Sequence, residues 1–224
     1  MPYKLLVFDW DGTLMDSQME IISCFQLAAK DAGIDQPSAE SVRNVIGLGM
    51  REAIKGVFPE LAEHQDRETQ IDDFIGHYRT HYFSPDKPPS TLYDGVYDML
   101  NDLYKQEYFM SVATGKGRNG LNLALSRTNL DSVFHFTRCV DEAPSKPHPQ
   151  MLEDCMEHWG VEPHETLMIG DTEYDLEMAS NAKVDSVGVF CGAHSPERLS
   201  KHKPKICFDN TNELADWLAG LQKT

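Results

Sequence analysis

The chain has 224 residues, with 36 acidic against 20 basic side chains and a formal net charge of −16. That balance argues against a broad electrostatic footprint on nucleic acid, which needs clustered Lys and Arg, and no apolar run approaches the roughly 18 residues of a membrane span. The length suits one well-buried core plus an inserted subdomain.

The first element is an apolar, strand-forming run, Leu5–Phe8, that stops at Asp9-Trp10-Asp11-Gly12-Thr13. A buried strand that delivers two carboxylates at its carboxyl end places them where open α/β sheets bind ligands. Alternation along an extended chain puts Asp9 and Asp11 on one side, where they repel unless a cation, or a proton on one of them, relieves the clash. The plain alternative is a solvated exit from strand to turn.

Ser17 followed by Glu20 has the capping-box spacing. Residues 18–33 then carry apolar positions at Ile21, Cys24, Phe25, Ala28 and Ala32, which predicts an amphipathic helix ending at Gly33. From there to Pro89 only helical signals occur, over 38–46, 50–57 and 66–83, broken at Gly47-Leu48-Gly49. Such a stretch between the first strand and the next α/β unit reads as an inserted helical subdomain, residues 17–89, with Lys87-Pro88-Pro89 as the returning hinge.

Strand and helix alternate thereafter. Helices are predicted over 94–107, 118–128, 147–160, 174–182 and 212–221, and strands over 109–114, 134–140, 166–169, 186–190 and 206–208. This alternation implies a doubly wound α/β fold, a mostly parallel sheet with helices on both faces, built from residues 1–16 and 90–224. The five cysteines are scattered, odd in number and without a C-x-x-C pair, and predict reduced thiols in a cytoplasmic protein. The apolar start is cut off by Asp9 and lacks a cleavage-like site, so no secretory leader is expected.

Three more strand ends carry chemistry. Thr114-Gly115-Lys116 offers a hydroxyl and free backbone N–H groups to an oxyanion. Ser145-Lys146-Pro147 offers one ammonium, and Gly170-Asp171-Thr172-Glu173-Tyr174-Asp175 offers two acids spaced by four. Each alone is an ordinary turn, solvated lysine or helix cap; the ordered set is specific. D-x-D-G-T, T-G-K, S-K-P and G-D-x-x-x-D after successive strands resemble the four motifs of the haloacid dehalogenase superfamily. The helical insert after the first motif resembles the cap of its phosphoglycolate phosphatase-like branch.

That resemblance implies a Mg²⁺-dependent hydrolase of a small phosphorylated metabolite, with phosphoglycolate as the candidate the branch suggests. Asp9 is then the nucleophile that takes the phosphoryl group, and Asp11 gives a proton to the leaving oxygen. Thr114, Gly115 and Lys146 hold the phosphoryl oxygens. Mg²⁺ is held by Asp9 and Asp171, by the backbone carbonyl of Asp11, and by Asp175 directly or through water. Trp10 is bulkier than the aliphatic residue usual at its position. Asp11 argues against a dehalogenase, and Met19-Glu20-Ile21-Ile22 lacks the histidine of phosphosugar mutases, although Lys55 keeps a weak link to phosphonate-cleaving members. A mutase or phosphotransferase, or a non-catalytic binding module, are the competing expectations. If the substrate is a small phosphorylated acid, its carboxylate needs a counter-charge, for which the cap offers Arg43 and Arg51. His77 and His81, four residues apart, are expected to be an exposed helix face rather than a zinc site.

Overall fold

β1 (Leu5–Phe8) is fully buried because both faces of its sheet are covered, which is why it reads as an unbroken apolar run. In the computed structural model, which describes residues 2–63, 66–87 and 89–221, its side chains alternate between two cores. Leu6 and Phe8 join one cluster with Trp10, and Leu5 and Val7 join the other.

The connection out of β1 passes through β2 (Met15–Asp16) into five helices: α1 (Gln18–Asp31), α2 (Ala39–Arg43), α3 (Met50–Val57), α4 (Pro59–Glu63) and α5 (Arg67–Tyr82). It returns through β3 (Thr91–Leu92), which pairs antiparallel with β2. Then follow α6 (Val96–Lys105), β4 (Phe109–Thr114), α7 (Arg118–Thr128), β5 (Phe136–Cys139), α8 (Gln150–Trp159), β6 (Thr166–Gly170) and α9 (Glu173–Asn181). The chain closes with β7 (Asp185–Val189), α10 (Pro196–Ser200), β8 (Ile206–Phe208) and α11 (Leu214–Leu221). The main sheet has the order β5-β4-β1-β6-β7-β8, and each pair of neighbouring strands within it is parallel. The doubly wound α/β fold expected from the alternation is therefore observed, with β1 central.

The five helices enclose a third cluster of their own, around Phe25, Ile54, Ile71, Phe74 and Tyr78. In α1 the buried face is Ile22, Cys24, Phe25, Ala28 and Ala29, so the expected face is rotated: Ile21 is half-buried and Ala32 exposed. Other expectations are corrected in detail. The Ser17 side chain makes no cap bond to α1, because its hydroxyl is drawn 2.7 Å to Asp11 Oδ1 instead. α8 begins at Gln150 rather than at Pro147, which stays in the loop after a cis Lys146–Pro147 bond. Pro88, part of the expected hinge, lies outside the described residues. Among the described residues no helix is long and apolar enough to cross a membrane.

Candidate active site

Four loops leave the carboxyl ends of β1, β4, β5 and β6 on one edge of the sheet and bring the motif residues together. Asp9, Asp171 and Asp175 are each almost fully buried, and one oxygen from each lies within 4.8 Å of the others. Lys146, also buried, places Nζ 2.8 Å from Asp9 Oδ1 and 2.6 Å from Asp175 Oδ1. Burial pulls the Lys146 ammonium down, but Asp175 and Asp9 more than reverse this and hold it above its ordinary value.

The second oxygens are deployed differently. Asp175 Oδ2 accepts from the Thr172 N–H at 3.0 Å and from its hydroxyl at 2.6 Å, closing a capping box at the start of α9. One side chain thus caps a helix and faces Lys146. Asp171 accepts from the Thr13 hydroxyl at Oδ1 and from the Ala193 N–H at Oδ2, both at 2.7 Å. Gly12 has φ +85°, and a Cβ there would lie 2.8 Å from Asp171 Cγ, so the first loop needs glycine both for its turn and for the approach of this acid.

Asp9 stands apart: neither of its buried oxygens accepts a well-directed hydrogen bond, despite the nearby ammonium. Burial pushes its carboxyl up most, against the pull of Lys146, with Asp175 adding to the rise. Asp171 is raised well above the carboxylate range by burial, then by Asp9 and Asp175. Three buried carboxylates face one buried ammonium, and a divalent cation is the species that balances such a set. The unbonded Asp9 oxygens leave it ligand positions, so the residues present fit a hard metal ion.

Asp11 does not belong to the acid cluster: its carboxylate takes Ser17 at Oδ1 and Lys116 Nζ at 2.8 Å on both oxygens. Lys116 is buried, lies 4.9 Å from the Tyr82 ring centroid, and is held above its ordinary value by Asp11 and Tyr82 against the opposing effect of burial. Thr114 is buried at the end of β4, its hydroxyl accepting from the Lys116 N–H at 3.2 Å. Gly115 lies against the loop between α2 and α3: a Cβ there would be 2.5 Å from the carbonyl oxygens of Gly47 and Leu48.

A cavity of about 550 Å³ opens between these loops and the five helices, lined by Asp9, Asp11, Thr114 and Gly115 on one side. Of the two expected cap arginines, Arg51 lines the cavity, but its guanidinium already meets Glu68 at 2.9 Å and Asp72. Arg43, at the end of α2, is not on the lining. His81 is engaged by Asp31 at 2.6 Å. Trp10 packs edge-on against Phe134 in the core, with its Nε1–H unpaired among the described residues.

Three contributors escape motif reading. Lys116 was visible only as the tail of the T-G-K turn, and Ser17 only as a helix cap. Cys191-Gly192-Ala193-His194, the loop after β7, supports Asp171 through the Ala193 N–H.

A family model described as haloacid dehalogenase-like hydrolase matches residues 6–189. The chain belongs to this family. Among its relatives is a protein of Dickeya dadantii named "Probable phosphatase IndB", 29% identical over 220 residues that cover 98% of this chain and 95% of that one. Another is the pyrophosphatase PpaX of Anoxybacillus flavithermus, 27% identical over 215 residues and 96% of each chain. The crystal structure of a predicted phosphoglycolate phosphatase from Haemophilus somnus superposes with a TM-score of 0.85 at 26% identity, covering 97% of this chain and 99% of that one.

Proposed function

We propose that the chain is a Mg²⁺-dependent phosphomonoesterase of the cytoplasm that acts through an aspartyl-phosphate on Asp9, with residues 17–89 as a cap over a core of 1–16 and 90–224. The observation that carries this reading is the buried meeting of Asp9, Asp171, Asp175 and Lys146, with neither Asp9 oxygen accepting a well-directed hydrogen bond. A carboxylate can attack a phosphoryl dianion only where positive charge is concentrated, because phosphoryl transfer depends on positioning and charge neutralisation.

Asp9, Asp171 and Asp175 would hold the metal, and Mg²⁺ there would supply charge neutralisation of the phosphoryl oxygens. Lys146 contributes the second positive charge from the opposite loop, and Thr114 with Gly115 offers a hydroxyl and backbone N–H groups to the same oxygens. One Asp9 oxygen forms the bond to phosphorus as the ester P–O bond breaks, and Asp11 passes a proton to the leaving oxygen. Asp11 then takes a proton from the water that cleaves the aspartyl-phosphate. For that exchange Lys116 must release at least one of its two contacts with Asp11, and the Tyr82 ring beside it offers its ammonium a second seat.

Phosphoglycolate and pyrophosphate, taken from the names of the similar proteins, head the substrate panel. Its test is initial phosphate release across a set of phosphate esters with Mg²⁺, together with acid-quench trapping of labelled phosphoenzyme. Wild type is expected to turn over and to trap label, and Asp9→Asn to fold, trap none and lose turnover by at least about a thousandfold. Near-wild-type hydrolysis by that variant overturns the assignment; turnover with label passed to a second phosphorylated sugar identifies a mutase instead.

A further inference from the structure

We propose that the leaving group accepted here has an apolar, ring-sized body and a second anionic group, and that Arg79 is the residue that reads the anion. The inference rests on the phosphatase reading above and narrows its substrate class.

The size of the cavity comes first. About 550 Å³ falls within the range of roughly 300–1,000 Å³ that holds drug-sized ligands. A phosphorylated two-carbon acid would leave most of that space to water. Part of the wall formed by the helices is apolar: Phe25, Val45, Leu48, Ile75 and Tyr78 line it, beside the charged Arg51, Glu52 and Asp72. An apolar wall does nothing to hold a small, wholly polar acid, but favours a leaving group that removes its own apolar surface from water.

The charges on the wall single out one residue. Its cations among the described residues are Lys116, Arg51 and Arg79. Lys116 is taken by both oxygens of Asp11, and Arg51 by Glu68 and Asp72. Arg79 is exposed and has no ion pair or side-chain hydrogen bond among the described residues. It lies on α5 one helical turn from Ile75 on one side and from Tyr82 and Phe83 on the other, all of them on the cavity wall. A free, planar, bidentate donor beside an apolar floor is suited to a carboxylate or second phosphate carried on an apolar frame. The Asp9 cluster, which borders the same cavity, takes the scissile phosphate.

Arg79 also sits in the last turn of α5, where a cation complements the helix dipole. That structural role would affect all substrates alike, so the test reads a ratio. Phosphate release is measured for phenyl phosphate, 3- and 4-carboxyphenyl phosphate and phosphoglycolate, with Mg²⁺, in wild type, Arg79→Gln and Arg79→Lys. In wild type at least one carboxyphenyl ester is expected to exceed both phenyl phosphate and phosphoglycolate in kcat/KM by about tenfold or more. In Arg79→Gln the carboxyphenyl-to-phenyl ratio is expected to fall by about tenfold, with partial recovery in Arg79→Lys. A ratio that stays at the wild-type value in Arg79→Gln, or a wild type that prefers phosphoglycolate, overturns the inference and leaves the phosphatase reading standing. No turnover of any ester by Mg²⁺-loaded wild type overturns the phosphatase reading and this inference with it.

Discussion

Lys146 sits between two buried carboxylates, and its removal would leave Asp9 and Asp175 facing each other without the ammonium that separates them. Taking one partner from a buried ion pair costs about 3–5 kcal/mol, so Lys146→Ala is expected to lower the urea midpoint by that equivalent. Mg²⁺, by neutralising the same acids, should restore part of the loss, and an unchanged midpoint without metal would show that Lys146 is not the counter-charge. Asp9, Asp171 and Asp175 were legible in the sequence because each directly follows a strand-forming run or opens a helix, and Lys146 because it stands between Ser145 and Pro147 in the third of the ordered motifs. Lys116, Ser17 and Ala193 were not, since their partners are set by the fold. Lys116 meets Asp11 across 105 positions, and Ala193 meets Asp171 across 22.

At the scale of elements, the contact between Gly115 and the Gly47–Leu48 carbonyls ties the loop after β4 to the helical insert. Backbone atoms on both sides leave no flexible side chain to give way, so Gly115→Ala must push the cap loop off the core. A shift of about 1 Å in such a site can cost on the order of a hundredfold in rate. We expect kcat/KM to fall by about ten- to a hundredfold in this variant, while the thermal midpoint moves little because the cap keeps its own core. Wild-type kinetics in Gly115→Ala would mean that the cap does not close on this loop during turnover. The long periodic helices and the buried strands were readable from their patterns. β2, β3 and α10 were not: they span two, two and five residues, too few for any periodicity, and are held by pairing or packing that sequence does not display. The face of α1 was misread because Ile21 and Ile22 are equally apolar, and only docking against α5 decides which of them is buried.

For the molecule as a whole, a metal held by the acid cluster, as proposed, would link stability to Mg²⁺. A ligand that binds only the folded state adds about 2.7 kcal/mol at a hundred times its dissociation constant, and for a chain of this size each kcal/mol is worth about 2–4 °C. After chelation, titration with Mg²⁺ is therefore expected to raise the melting midpoint by roughly 5–10 °C, and Asp171→Asn should blunt the rise. A midpoint indifferent to Mg²⁺ up to millimolar concentration would remove the metal from the reading.

The small β2–β3 ribbon has a further consequence. Met15 pairs with Leu92 and Asp16 with Thr91, so the outgoing and returning strands of the helical insert are hydrogen-bonded neighbours. β1 pairs with β4 across about 100 residues, and without the insert that loop would be roughly four times shorter, yet each doubling of loop length costs only about 0.6 kcal/mol of closure entropy. The five helices thus impose about 1 kcal/mol on the pairing of the central strand. From the sheet's side they form one long hairpin loop pinned at its base, a place where evolution can exchange the whole helical insert without reworking the strands beneath it.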